Sequence, residues 1–132
     1  MLKITRKAEY ALIALRHLNS IKDGELATVK EISTQYGIPQ ELLAKALQQL
    51  AREKVIDATK GPSGGYKLVR DPSTINMTKF FEILEGPMGI MDCYFDAGCN
   101  QLSACTIRTP INRINDSIRT IFDKLTLADI TY

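Results

Sequence analysis

The chain has 132 residues, 45% hydrophobic and 24% charged, the make-up of one ordinary globular domain with room for a small appended element. No apolar run approaches the ~20 residues of a membrane span. The basic first residues have no apolar stretch behind them, so no secretory leader or membrane partner is expected, and the expected compartment is cytoplasmic. The net charge of +2 hides a division: residues 1–70 carry +5 and residues 71–132 carry −3, which makes the amino-terminal half the one suited to a polyanion.

Thr5 is placed to cap a first helix running to about Ser20, with Ala8, Ala11, Leu12, Leu15 and Leu18 as its apolar stripe. Asn19 to Ala27, containing Asp23-Gly24, reads as a loop. Thr28 with Glu31 three residues on is a reciprocal capping box opening a short helix, Val29 to Tyr36, which Gly37 ends. Pro39 suits the first turn of a third helix, about Pro39 to Glu53, which buries Leu42, Leu43, Ala46, Leu47 and Leu50. Its other face shows Gln40, Glu41, Lys45, Gln48, Gln49 and Arg52. A short helix, a glycine turn and an amphipathic helix make a helix-turn-helix, a corner that many proteins contain without touching DNA.

The following stretch adds weight to a DNA-binding reading. Val55 to Lys60 and Gly65 to Val69 have strand composition, and Gly61-Pro62-Ser63-Gly64 between them is a turn-forming cluster. A hairpin directly after the third helix is the wing of a winged helix-turn-helix, and Lys60, Lys67 and Arg70 put positive charge along it, where phosphates would lie. Asp71-Pro72-Ser73 closes the wing. Asn76 caps a further helix, Met77 to Glu85, with Phe80, Phe81 and Leu84 turned inward, and Gly86-Pro87 stops it.

Cys93, Cys99 and Cys105 then follow at six-residue intervals. Six residues turn an α-helix by about 600°, so on a helix the thiols would point roughly 120° apart, and on a strand they would sit about 20 Å apart. A loop lets them meet, with Gly98 supplying backbone freedom. An odd number of cysteines cannot all enter internal disulfides. Three converging thiolates are three-quarters of an iron–sulphur or zinc site that needs one further ligand. Beyond them, Ile107, Ile111, Ile114, Ile118, Ile121 and Leu125 keep the 4,3 spacing of a coiled-coil seam, on a helix expected to start with Thr109 as cap and Pro110 in its first turn. Such a stripe commonly packs on the chain's own core. Following a DNA-binding module it reads as the helix that pairs two copies, since two-fold operators need two-fold proteins.

The reading is thus a mostly α fold: a winged helix-turn-helix over 1–70, a connecting helix over 71–90, a cysteine segment over 91–106 and a long dimerisation helix over 107–132. With these parts in order, the chain resembles the IscR/NsrR family of bacterial winged-helix regulators over almost its whole length. The residues that carry the likeness are Thr5 to Leu15, Ile38-Pro39 leading into Leu50, Lys60-Gly-Pro-Ser-Gly-Gly-Tyr-Lys-Leu68, Glu85-Gly86 and the three evenly spaced cysteines. The resemblance implies a homodimer with one iron–sulphur cluster per subunit, 2Fe–2S or 4Fe–4S, whose presence sets DNA affinity. Regulators of cluster biosynthesis in that family carry a histidine three residues after the last cysteine, where this chain has Arg108. The nitric-oxide-sensing branch uses an acidic residue in the first helix, and Glu9 matches its placement. A carboxylate is a legitimate hard ligand to iron and more labile than a thiolate. His17, water or a small thiol are the other candidates for the fourth position.

On this reading two recognition helices enter successive major grooves of a near-palindromic operator on double-stranded DNA. Gln40, Glu41, Lys45 and Gln48 face base edges, where Gln pairs with adenine, Glu accepts from cytosine, and Lys reaches guanine or phosphate. The wing loop, Lys60 to Gly64, reaches an adjacent groove or the backbone, with Gly61 and Gly64 allowing close approach, and Thr5 and Lys7 are expected at phosphates. The cluster, attacked by nitric oxide or oxygen or lost on iron shortage, would release repression. Two rivals are a metal-free thiol/disulfide switch and a zinc-stabilised module. An enzyme is not expected, because the chain has no phosphate-binding glycine loop, no Ser/His/Asp set and a single histidine.

Overall fold

A computed structural model describes residues 3–90 and 103–131. Helix α1 (Arg6–Ser20) begins at Thr5, whose side chain accepts from the Ala8 amide, and Ala8, Ala11, Ala14, Leu15 and Leu18 are its buried residues. Leu12, expected in the stripe, is half-buried at its edge, and Ala14 takes a core position. Helix α2 (Val29–Tyr36) carries the expected capping box: Thr28 Oγ1 accepts from the Glu31 amide at 3.0 Å, and the Thr28 amide donates to Glu31 Oε2. Gly37 ends it at φ +66°, a left-handed geometry that costs glycine nothing.

Helix α3 (Gln40–Arg52) has Pro39 in the cap position rather than in the first turn, with no side-chain cap bond. Leu43, Ala46, Leu47 and Leu50 are fully buried against α1 and α2. Burying each such leucine is worth about 1.5–3 kcal/mol, so this face holds α3 and leaves the opposite face free. The wing is the antiparallel pair β1 (Ile56–Thr59) and β2 (Gly65–Leu68), in register from Ile56↔Leu68 to Thr59↔Gly65. Ala27 adds a one-residue bridge, with its amide donating to the Tyr66 carbonyl and the Tyr66 amide donating back. That bridge fixes the wing to the loop before α2.

A 3₁₀ turn (Pro72–Thr74) capped by Asp71 leads into α4 (Met77–Glu85), which Asn76 caps as expected. Phe80 and Leu84 are buried, and Phe81 is half-buried. The long helix, α5 (Arg108–Lys124), starts earlier than the sequence suggested. Ile107 occupies the cap position, and Pro110 is the third helical residue. A proline is tolerated there because the first-turn amides have no intrahelical acceptor to lose.

The end of the chain departs from the expected continuous helix over 107–132. Leu125 is extended, and Thr126 opens a separate short helix, α6 (Leu127–Thr131). The Thr126 amide donates to Asp129 Oδ2 at 2.8 Å, which supplies the local reason for the break. The segment then closes onto the winged domain. The Met77 amide donates to the Leu125 carbonyl, the Leu127 amide to the Ile75 carbonyl, and Asn19 Nδ2 to the Thr131 carbonyl. Leu127 is 1% exposed. Leu125 therefore packs on the core instead of extending the seam.

Candidate nucleic-acid interface and cysteine segment

The exposed face of α3 carries Gln40, Glu41, Lys45 and Gln48, all open to solvent because the buried leucine face fixes the roll of the helix. Gln48 also borders a groove of about 860 Å³ between the carboxyl end of α3, the start of α2 and the wing. Lys60, Gly61 and Gly64 line the same groove, so the fold brings these four predicted residues together. Arg52 and Thr28 border it too. Arg52 lies four residues beyond Gln48 on the same helical face, a periodicity that could have placed it among the contacts.

The wing glycines have a structural role that the sequence reading assigned to close approach. Gly61 sits at φ +106°, and its carbonyl accepts from the Gly64 amide at 2.9 Å to close the turn. A Cβ on Gly64 would lie 2.2 Å from the Thr59 carbonyl oxygen. Gly65, absent from the predicted set, holds the Ala27 bridge: a Cβ there would meet the Ala27 carbonyl oxygen at 2.9 Å. Asp71, at the exit of the wing, accepts from both the amide and the hydroxyl of Ser73, and these bonds hold its carboxyl below the ordinary 3.8.

Thr5 and Lys7 stand at the start of α1. The Thr5 hydroxyl is engaged within the chain, donating to Glu85 Oε1 while it caps the Ala8 amide. This couples the start of α1 to the end of α4. Lys7 is half-buried.

Of the predicted metal ligands, Cys93 and Cys99 lie outside the described residues. Cys105 is a free, exposed thiol shortly before α5. Glu9 presents a carboxylate whose side chain is 44% exposed, with Arg6 Nη1 at 3.2 Å. His17 is engaged elsewhere: its Nδ1 lies 2.8 Å from the Tyr36 hydroxyl, with the rings edge-to-face, joining α1 to α2. Among the described residues no three His, Cys, Asp or Glu side chains are grouped to hold a metal ion. The chain leading into the cysteine segment is fastened to α5 at two points. The Ile90 amide donates to Asn115 Oδ1 at 2.9 Å, and Arg119 Nη1 bonds both the Met88 carbonyl and Glu82, each at 3.1 Å. Neither of these two holding residues was legible as part of a site.

The expected seam on α5 divides. Ile107, Ile114 and Ile121 are 54%, 51% and 59% exposed and seven residues apart, one row along the helix. Ile111 and Ile118 are half-buried. The free row is a narrower stripe than the full set of six, because Ile118 lines a cavity with Phe81 and Phe122 at the junction with α4.

A helix-turn-helix with a free recognition face, a short wing and a long carboxyl-terminal helix defines a winged-helix DNA-binding regulator. Residues 4–132 match the Rrf2 family, described as iron-dependent transcriptional regulators, and the chain belongs to that family. Its members are regulators of transcription rather than enzymes. Among solved structures, it is similar to CymR (YrzC), the global cysteine regulator of B. subtilis, at 24% identity and a TM-score of 0.75, covering 99% of this chain and 97% of that one. It is also similar to T. potens IscR, at 23% identity and TM-score 0.70, covering 97% and 85%. The oxidised form of Staphylococcus aureus CymR matches at 21% identity and TM-score 0.73, covering 98% and 96%. Among the described residues no helix is long and apolar enough to cross a membrane.

Proposed function

We propose that this chain is a homodimeric, cytoplasmic transcriptional repressor whose grip on a near-palindromic operator is set by an iron–sulphur cluster, one per subunit. Cys93, Cys99 and Cys105 would hold it, with Glu9 as the fourth ligand. When bound, the cluster supplies an inorganic centre reactive toward nitric oxide and oxygen. The observation that carries the reading is the free Cys105 thiol just ahead of α5, on a segment whose other end Asn115 and Arg119 hold to the same helix. The donor chemistry fits: Cys105 presents an exposed sulphur, and the Glu9 carboxylate, ion-paired among the described residues with Arg6, is a hard oxygen ligand for iron. The family's description as iron-dependent adds support.

The chain's own residues provide the coupling. Asn115 and Arg119 fix the approach to the cysteine segment, and the Glu85–Thr5 bond joins the end of α4 to the cap of α1. Gln40, Glu41, Lys45 and Gln48 read base edges, while Lys60 and the turn at Gly61 and Gly64 lie on the backbone. A coupling of ~1–3 kcal/mol changes affinity about five- to 150-fold. The exposed Ile107, Ile114 and Ile121 row supplies the self-complementary surface of the dimer.

A second reading, a metal-free disulfide switch, is favoured by the exposed Cys105 and by the solved oxidised form of CymR. Anaerobic purification separates the two. Stoichiometric iron and sulphide, visible absorbance lost on nitric oxide, and an altered spectrum in Glu9→Ala support the cluster. A colourless protein that forms an intramolecular disulfide selects the switch, and an unchanged Glu9→Ala spectrum removes Glu9 from the site.

A further inference from the structure

We propose that a cavity of about 450 Å³ between α1, α4 and α5 is a binding site for a small, uncharged, largely apolar molecule carrying one hydrogen-bond acceptor, such as an aromatic ketone. The volume lies within the range of small-molecule pockets. Phe81 and Phe122 meet edge-to-face at 5.4 Å and form one wall, while Ala8, Ile90 and Ile118 form others. These surfaces reward apolar contact and offer a ligand almost no polar chemistry.

Beside Lys3, Thr5 and Glu85, the polar side chain that lines the cavity is Asn115. It is 2% exposed, its Oδ1 accepts from the Ile90 amide, and its Nδ2 has no hydrogen-bond partner among the described residues. A buried donor left without an acceptor is destabilising. Its proper complement is therefore an acceptor oxygen brought by an occupant, which an aliphatic side chain from a second copy does not have. Lys3 and Glu85 both line the cavity, so a strongly charged ligand of either sign would meet a like charge. An occupant would sit against the Thr5–Glu85 junction at the start of α1, a position from which filling the cavity can alter the winged domain. The proposal extends beyond the cysteine chemistry and does not depend on it.

The test titrates the full-length ¹⁵N-labelled protein with acetophenone and, separately, with ethylbenzene, which has nearly the same shape and no acceptor. The expected result is a saturable shift of the Asn115 side-chain amide with acetophenone, and five- to tenfold weaker binding of ethylbenzene, the worth of one hydrogen bond. Ile118→Phe, which fills the cavity, should weaken acetophenone at least tenfold. The ketone–hydrocarbon comparison is made on the wild-type chain and stands whether or not that variant folds. No saturable shift, equal affinity for the two probes, acetophenone binding retained in folded Ile118→Phe, or contacts from the Asn115 amide only to water or to a partner helix would each overturn the proposal. None of these outcomes touches the cysteines, so failure here leaves the cluster reading intact.

Discussion

Gly64→Ala is the most exacting single change the wing offers. The added methyl carbon would stand 2.2 Å from the Thr59 carbonyl oxygen and 2.9 Å from that of Gly61. Both obstacles are backbone, so neither can rotate aside, and the turn must open by about 1 Å to restore ordinary contact. Opening it breaks the Gly64–Gly61 hydrogen bond and disturbs the Thr59↔Gly65 pair at the end of the ladder. Overpacking of this kind costs about 1–3 kcal/mol, which at about 4 °C per kcal/mol lowers Tm by roughly 4–12 °C. Gly61→Ala meets no atom within 4 Å and bears only the strain of φ +106°, at the lower end of about 1–3 kcal/mol. Thermal melts of both variants, with fluorescence-anisotropy titrations of operator DNA, check the reasoning. Gly64→Ala should show the larger fall in Tm and weaker DNA binding, with the salt dependence of binding unchanged because no charge is removed. A Gly64→Ala protein with wild-type Tm and affinity would refute the argument that the turn has no room.

Lys60→Ala should weaken binding to all DNA sequences alike and lower the salt slope by about one, since a phosphate contact releases about one counterion; an unchanged slope in a salt titration removes Lys60 from the backbone. Ile121→Glu places a charge in the free isoleucine row, where the residue is 59% exposed in the single chain, and sedimentation should find monomers at micromolar concentration. A dimer of unchanged stability would move the pairing surface elsewhere. Asp71 has its carboxyl held below 3.8 by the Ser73 bonds, so its contribution to stability is full above 3.8 and disappears as pH falls through the lower native value. A ¹³C titration of that carboxyl should find its midpoint below 3.8, and a midpoint at or above it contradicts the turn geometry.

Much of the fold was legible because its boundaries depend on local chemistry. The Thr28–Glu31 box, Gly37, Asn76 and the apolar period of α3 each act within one or two turns, and all four do what their spacing implies except at Leu42, which lies at the edge of the buried face and is half-buried. Readings that depended on long-range packing fared less well. The seam from Ile107 to Leu125 has the right period, yet periodicity does not say which neighbour a residue meets. Ile118 lines a cavity with Phe81 of α4 and Phe122 of its own helix, and Leu125 turns away with the chain. The break at Thr126 did have a local sign, a threonine three residues before an aspartate, which the regular apolar spacing masked. At the candidate interface, exposure of the recognition face follows from amphipathicity. The roles of Asn115, Arg119 and the Glu85–Thr5 bond do not, because their partners lie 25 to 80 residues away.

The described residues after α5, 125–131, have a mechanical consequence. By returning to Ile75, Met77 and Asn19 they rivet the far end of the long helix to the reading head, while Arg119 and Asn115 secure its middle. An arm fastened at several places along its length cannot swing like a pendulum. Whatever displaces it must turn the whole subunit as one piece, so in the proposed dimer an event at the pairing surface would reach DNA as a change in the angle and spacing between two rigid halves.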